Sequence, residues 1–213
     1  MKPMTSLRHL SDRAEKKLLR HHARFVRRLG DPRVPEDLAV SDTVLQLHNY
    51  FASAIRAYFL SCCSAAIDRA GTPVTSAMEL ASHTDAIDFA VQVLKPGLHG
   101  TRRKPWHMRD EPAWYDLGNL YRLSVRLELS NLQVIESALS YQTVMLERLT
   151  HFRHFYGHRN KETCAVALKH QWSFGLAGYR HPTSLLLARH PDGSQMLIEE
   201  AFTDIRAVMS LLA

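Results

Sequence analysis

Apolar side chains recur at three- and four-residue steps along most of the chain, the spacing of helices that bury one face. Between residues 6 and 29 they are Leu7, Leu10, Ala14, Leu18, Phe25 and Leu29, a thin stripe on a charged segment that Gly30-Asp31-Pro32 ends. A stronger run of Val44, Leu45, Leu47, Phe51, Ile55, Tyr58 and Phe59 predicts a central helix, opened by Ser41 or Asp42 and reaching about residue 70. Gly71-Thr72-Pro73 breaks the chain, and Ser76 with Glu79 three residues on is a capping-box pattern for a third helix through Leu94. Residues 95–111 lose the periodicity and read as a basic exposed loop.

Helical spacing resumes after Pro112 with Trp114, Leu117, Leu120, Tyr121, Ser124 and Leu127. Ser130 and Gln133 then open the best-patterned helix, where Ile135, Leu139, Leu146, Leu149, Phe152 and Phe155 lead to Tyr156 and Gly157 supplies the stop. A further helix is predicted over 163–174. The tail reads as two strands, 184–189 and 195–198, around Pro191-Asp192-Gly193, with a last helix over 199–212. These elements describe a mainly α single domain over 1–213: a basic N-terminal helix (1–30), a core bundle (42–175), and a short β-hairpin plus helix (183–213).

With 213 residues, 46% of them hydrophobic, the chain can bury a core without covalent staples. Nine glycines and nine prolines are too few for an all-β sandwich or a low-complexity chain. Cys62 and Cys63 are neighbours that can hardly pair, so these and Cys164 read as buried thiols. No apolar window approaches a membrane span and the first residues lack a secretory pattern, so a cytoplasmic protein without membrane contact is expected.

Charge changes the picture more than composition does. Residues 1–28 carry nine Lys and Arg against Asp12 and Glu15, a local balance of +7 within a chain of net +6, so the other 185 residues sum to −1. Such a segment suits phosphates, whose counterions each Lys or Arg releases, and equally an acidic membrane or an acidic neighbouring subunit. Lys16, Lys17, Arg20 and Arg24 here, with Arg102, Arg103 and Lys104 in the basic loop, are the expected RNA contacts.

The densest polar cluster is residues 151–160, at the end of the best-patterned helix. On a straight helix Arg153 and His158 stand about 140° apart around the axis. If the helix unwinds at Gly157, His158 swings back beside Arg153, and a guanidinium and an imidazole share one cavity. That set suits cleavage of an RNA phosphodiester, the Arg stabilising phosphoryl charge and the His moving a proton. The alternative reading is that His and Arg merely complement the helix dipole.

Arg153-His154-Phe155-Tyr156-Gly157-His158 resembles the signature of the HEPN superfamily: an Arg, a polar residue that is usually Asn, Asp or His, three variable positions, then His. The following Arg159-Asn160, the preceding amphipathic helix with Ser130-Asn131 at its start, and the aromatic helix Tyr50-Phe51 to Tyr58-Phe59 are similar to the same family, over roughly residues 42–175. The resemblance implies an antiparallel bundle of four to five core helices pairing as a two-fold homodimer, with the motifs meeting in a composite ribonuclease cleft that needs no metal or other cofactor. It implies toxin, antiphage or RNA-processing roles, with an antitoxin or other regulatory protein as a further partner. Carried over by residue, Arg153 polarises the scissile phosphate, His158 transfers protons, and His154 orients the Arg or the substrate. The 2′-hydroxyl is the nucleophile, leaving a cyclic 2′,3′-phosphate and a 5′-hydroxyl. Tyr156, Arg159 and Asn160 extend the RNA-binding set. A toxin subgroup has a Tyr two residues after the motif His, where this chain has Asn160. The rival expectation is a non-catalytic helical module for dimerisation or RNA binding within a larger complex.

Histidines elsewhere show no HExxH spacing and no Cys/His pairing for zinc, and neither GxGxxG nor GxxxxGK[ST] occurs. Trp106, Trp114 and Trp172 read as packing anchors, with base stacking on Trp106 as the alternative.

Overall fold

In a computed structural model the described residues are 5–100, 106–141, 143–169 and 171–213. Among them the chain is mainly α-helical. A short strand β1 (Thr5–Ser6) precedes α1 (Leu7–Leu29) and α2 (Glu36–Cys63), after which β2 (Ala66–Ile67) pairs in parallel with β1. Then follow α3 (His83–Leu94), α4 (Pro96–His99), α5 (Leu117–Arg126), α6 (Leu132–Ser140), α7 (Val144–His158) and α8 (Lys161–Leu168). A 3₁₀ turn (Gln171–Phe174), α9 (Pro182–Leu187) and α10 (Leu197–Leu211) complete it.

Two compact units make up the chain: residues 1–14, 51–141 and 208–213 form one, and residues 15–50 and 142–207 the other. In the first, the Glu111 carboxylate is 5% exposed and accepts two bonds from Arg56 (2.6 and 2.8 Å) and one from the Trp114 indole (2.8 Å). The Lys95 ammonium donates to the Asp110 and Glu111 carbonyls, so the basic loop is anchored at both of its ends. Arg102, Arg103 and Lys104 lie outside the described residues. Buried Asn131 donates to the Tyr58 hydroxyl at 2.7 Å and contacts Cys62 Sγ at 3.7 Å, which assigns that thiol a structural environment.

The second unit carries the motif. Leu18 and Phe25 of α1 are buried, so the basic segment is a docked helix rather than a free arm. Helix α2 begins six residues before the predicted Asp42 cap. Pro35 supplies the first acceptor, taking the N–H groups of Leu38 and Ala39, and Glu36 and Asp37 put negative charge in the first turn. Ser41 is therefore buried inside the helix. At its other end α2 stops at Cys63, where Ala65 adopts a left-handed φ of 88° and turns the chain into β2.

Three further expectations are corrected. Ser76 opens no helix: its hydroxyl donates to the Leu127 carbonyl, and α3 starts at His83, capped by Ser82, whose side chain accepts from Asp85 N–H. The predicted helix from 130 to 156 is two helices, because the Thr143 hydroxyl caps α7 by accepting from Leu146 N–H. The hairpin shrinks to one antiparallel bridge, Arg189 to Met196. Its would-be first strand is α9, with Pro182 at the first position and the His181 imidazole accepting from Thr183 N–H. Its second strand gives way to α10 because the Glu199 carboxylate reaches back to Met196 N–H at 2.9 Å.

Candidate functional site

Phe152, Phe155 and Tyr156 are buried on one side of α7 and set its rotation. That leaves Arg153 half-buried and puts His154, Gly157 and His158 in solvent. Gly157 does not end the helix. Intrahelical geometry continues to His158, and Arg159 closes it in the left-handed region (φ 47°, ψ 44°), its N–H donating to the Phe155 carbonyl. The unwinding that would bring His158 beside Arg153 is absent, and the two remain on different faces, about 140° apart.

His154 and His158, one turn apart, share a face instead. Their rings meet edge to face with centroids 4.5 Å apart. Arg153 lies elsewhere: its Nε is buried without a hydrogen-bond partner, and its charge acts on His48 of α2. Burial, and after it the Arg153 charge, pull the His48 pKa down to about 4, so this imidazole is neutral at pH 7.

Arg159 joins a network that ties the motif to α2 and α9. It pairs with Asp37 at 2.5 Å and lies over the Tyr156 ring, 5.6 Å from its centroid. The Tyr156 hydroxyl is 2.8 Å from Thr183 Oγ1, which donates to Asp37 at 2.6 Å. Burial pushes the Asp37 carboxyl up, but the bonds from Thr183 and Arg159 outweigh it and hold the pKa below the ordinary carboxylate value. Burial raises the Tyr156 pKa, so that residue anchors the network as a neutral phenol. Asn160 is occupied locally as the cap of α8, accepting from Thr163 N–H at 2.8 Å within a capping box.

The basic residues of α1 divide. Lys16 and Arg20 are exposed, whereas Lys17 lies over the Tyr50 ring at 4.9 Å and Arg24 and Arg28 pair with Asp42. Sequence reasoning missed Asp37 and Thr183. Asp37 precedes the start expected for α2 at Ser41 or Asp42, so it carried no helix signal, and nothing local connects it with a threonine 146 positions away. Trp114 is buried as a packing anchor and Trp106 is half-buried, its indole donating to Asp88. Trp172 overturns its expectation: it is 74% exposed.

A cavity of about 330 Å³, lined by Leu18, Leu19, His22, Glu199, Phe202 and Arg206 among others, contains none of the motif residues. Among the described residues no three His, Cys, Asp or Glu side chains converge as a metal-binding group would, and no helix is long and apolar enough to cross a membrane. Family models, curated proteins and solved structures contain no match to the chain.

Proposed function

We propose that this chain is a HEPN-like, metal-independent endoribonuclease that works as a two-fold homodimer, in antiphage defence or toxin-type growth arrest. The observation that carries the proposal is the exposed imidazole pair His154–His158, 4.5 Å apart at the end of α7 and followed directly by the Arg159 guanidinium. Imidazoles exchange protons near neutral pH, and a guanidinium offsets charge developing on phosphorus. One imidazole takes the proton of the RNA 2′-hydroxyl as that oxygen bonds to phosphorus. The bond from phosphorus to the 5′-oxygen breaks, and an imidazolium returns a proton to the leaving oxygen. A second copy of α7 across a dimer axis would supply imidazoles to the far side of the phosphate, which the in-line geometry of attack and departure requires.

The proposal gives His158 and His154 the proton transfers and Arg159 the first claim on phosphoryl charge. Arg153, carried in by the HEPN resemblance, acts from the half-buried face. Incubating the full-length protein with total RNA in EDTA should yield new ends bearing 2′,3′-cyclic phosphates and 5′-hydroxyls. His158→Ala should abolish them, and Arg159→Ala should lose more than Arg153→Ala. Absence of such ends refutes the enzyme. The separation of Arg153 from His158 favours one second reading, a helical module that binds RNA or dimerises without cutting; RNA binding with intact RNA would establish it. Light scattering tests assembly, and an active monomer would rule out the composite cleft.

A further inference from the structure

The most exposed large aromatic side chain of the unit that carries the motif is Trp172, and it is not on a loose segment. Its 3₁₀ turn is pinned by Phe174, which is 4% exposed, and by three bonds: Gly175 N–H to the Trp172 carbonyl, Leu176 N–H to the Gln171 carbonyl, and Tyr179 N–H to the Gln171 side-chain oxygen. Gly175 makes the turn possible with a φ of +66°, a region that glycine enters at no steric cost. The backbone that carries the indole is thus hydrogen-bonded in place, and a platform whose backbone need not be ordered on binding loses less entropy when it stacks.

Its electrostatic setting narrows the occupant. From Thr163 to Pro191 the sequence contains no Asp or Glu, while Lys169, Arg180 and Arg189 and three histidines fall in that stretch. Lys169 and Arg180 are exposed on either side of the tryptophan in sequence. An exposed aromatic face flanked in sequence by the cations Lys169 and Arg180 suits a polyanion whose units also carry π-faces. A partner protein recognised by an apolar patch would need neighbouring apolar side chains, but Ser173, Gly175, Ala177 and Gly178 beside it are small and exposed.

We propose that Trp172 is a stacking platform for a base of single-stranded RNA, with Lys169 and Arg180 meeting the flanking phosphates. The inference rests on RNA being the substrate of the imidazole site. Helix α8, capped at Asn160 directly after the motif, spans eight residues, or about 12 Å at 1.5 Å per residue. On this proposal Trp172 holds the bound strand away from the reacting phosphate and takes no part in bond breaking.

The test measures binding of a fluorescent oligouridine and of heparin, a polyanion without bases, to the full-length His158→Asn protein with and without Trp172→Ala or Trp172→Phe. Alanine should weaken oligouridine binding about 5- to 150-fold, the equivalent of one lost base–aromatic stack. Phenylalanine should retain most of the affinity, and heparin binding and the salt slope for oligouridine should not move. Equal oligouridine affinity for tryptophan and alanine overturns the platform, as does an equal loss for heparin, a change confined to self-association, or no oligouridine binding by any of the proteins. Tryptophan-dependent oligouridine binding with uncut total RNA would retain the platform and remove the nuclease. Cleavage with an unaltered KM in Trp172→Ala would retain the nuclease and remove the platform.

Discussion

Replacing Asp204 with Asn should make the protein more stable at neutral pH, although it removes a hydrogen-bonded carboxylate. Asp204 is 3% exposed on α10 and accepts from the hydroxyl of Thr143, the residue that caps the motif helix α7. Burial pushes its carboxyl up from an ordinary 3.8 to about 6; the Thr143 bond opposes this and the Glu200 charge adds to it. The folded protein thus holds the proton more tightly than the unfolded chain. The stability gained is complete below pH about 4 and is lost as pH rises through about 6. Two pH units at 1.36 kcal/mol each make the ionisation cost about 3 kcal/mol. Asparagine removes that cost and keeps an oxygen for Thr143, but gives up about 1 kcal/mol of charge-assisted bonding. The net gain at pH about 7.5 is then about 2 kcal/mol, a rise in Tm of about 4–8 °C for a chain of this length. At pH about 4 the advantage should vanish or reverse. Thermal and urea unfolding followed by circular dichroism between these limits decides the matter. Part of the pH slope should survive in the variant, because burial also raises the Glu200 pKa. A destabilised Asp204→Asn at pH 7.5, or a difference that does not vary with pH, would refute the reasoning.

Glu111→Ala leaves the Arg56 guanidinium and the buried Trp114 indole without their acceptor, and urea unfolding should register a loss of about 3 kcal/mol; under 1 kcal/mol would mean that water replaces it. Gly157→Ala adds a Cβ that meets nothing within 4 Å inside a helix, so stability should rise by about 0.5–1 kcal/mol with cleavage retained. A folded, inactive Gly157→Ala would show that unwinding at this position belongs to the reaction. Asn160→Ala should cost about 1 kcal/mol through loss of the α8 cap, read as a lower Tm. Charge reversal at exposed Lys16, Arg20 and Arg27 should flatten the log K against log salt slope for single-stranded RNA by about 2 units, and an unaltered slope would assign α1 to a different partner.

Helices that bury one stripe were legible because that pattern is a property of each helix alone: α1 was expected over 6–29 and is Leu7–Leu29, and α10 over 199–212 and is Leu197–Leu211. The polar cluster at the end of α7 was legible for the same reason; the shared face of His154 and His158 follows from their four-residue spacing, but the sequence reading paired Arg153 with His158 instead. Boundaries were less so. Gly157 has the composition of a helix stop, yet Arg159 makes the left-handed turn two residues later, where it pairs with Asp37. The apolar run 184–187 has no period that separates strand from helix, and it became α9 once Pro182 and the His181 cap had set its start. Asp37 and Thr183 met, and the Arg153 charge came to act on His48, through the packing of segments far apart in sequence, and the apolar Trp172 was left exposed. Periodicity reports which side of one element is apolar, whereas the partner of a polar side chain depends on which elements the fold brings beside it.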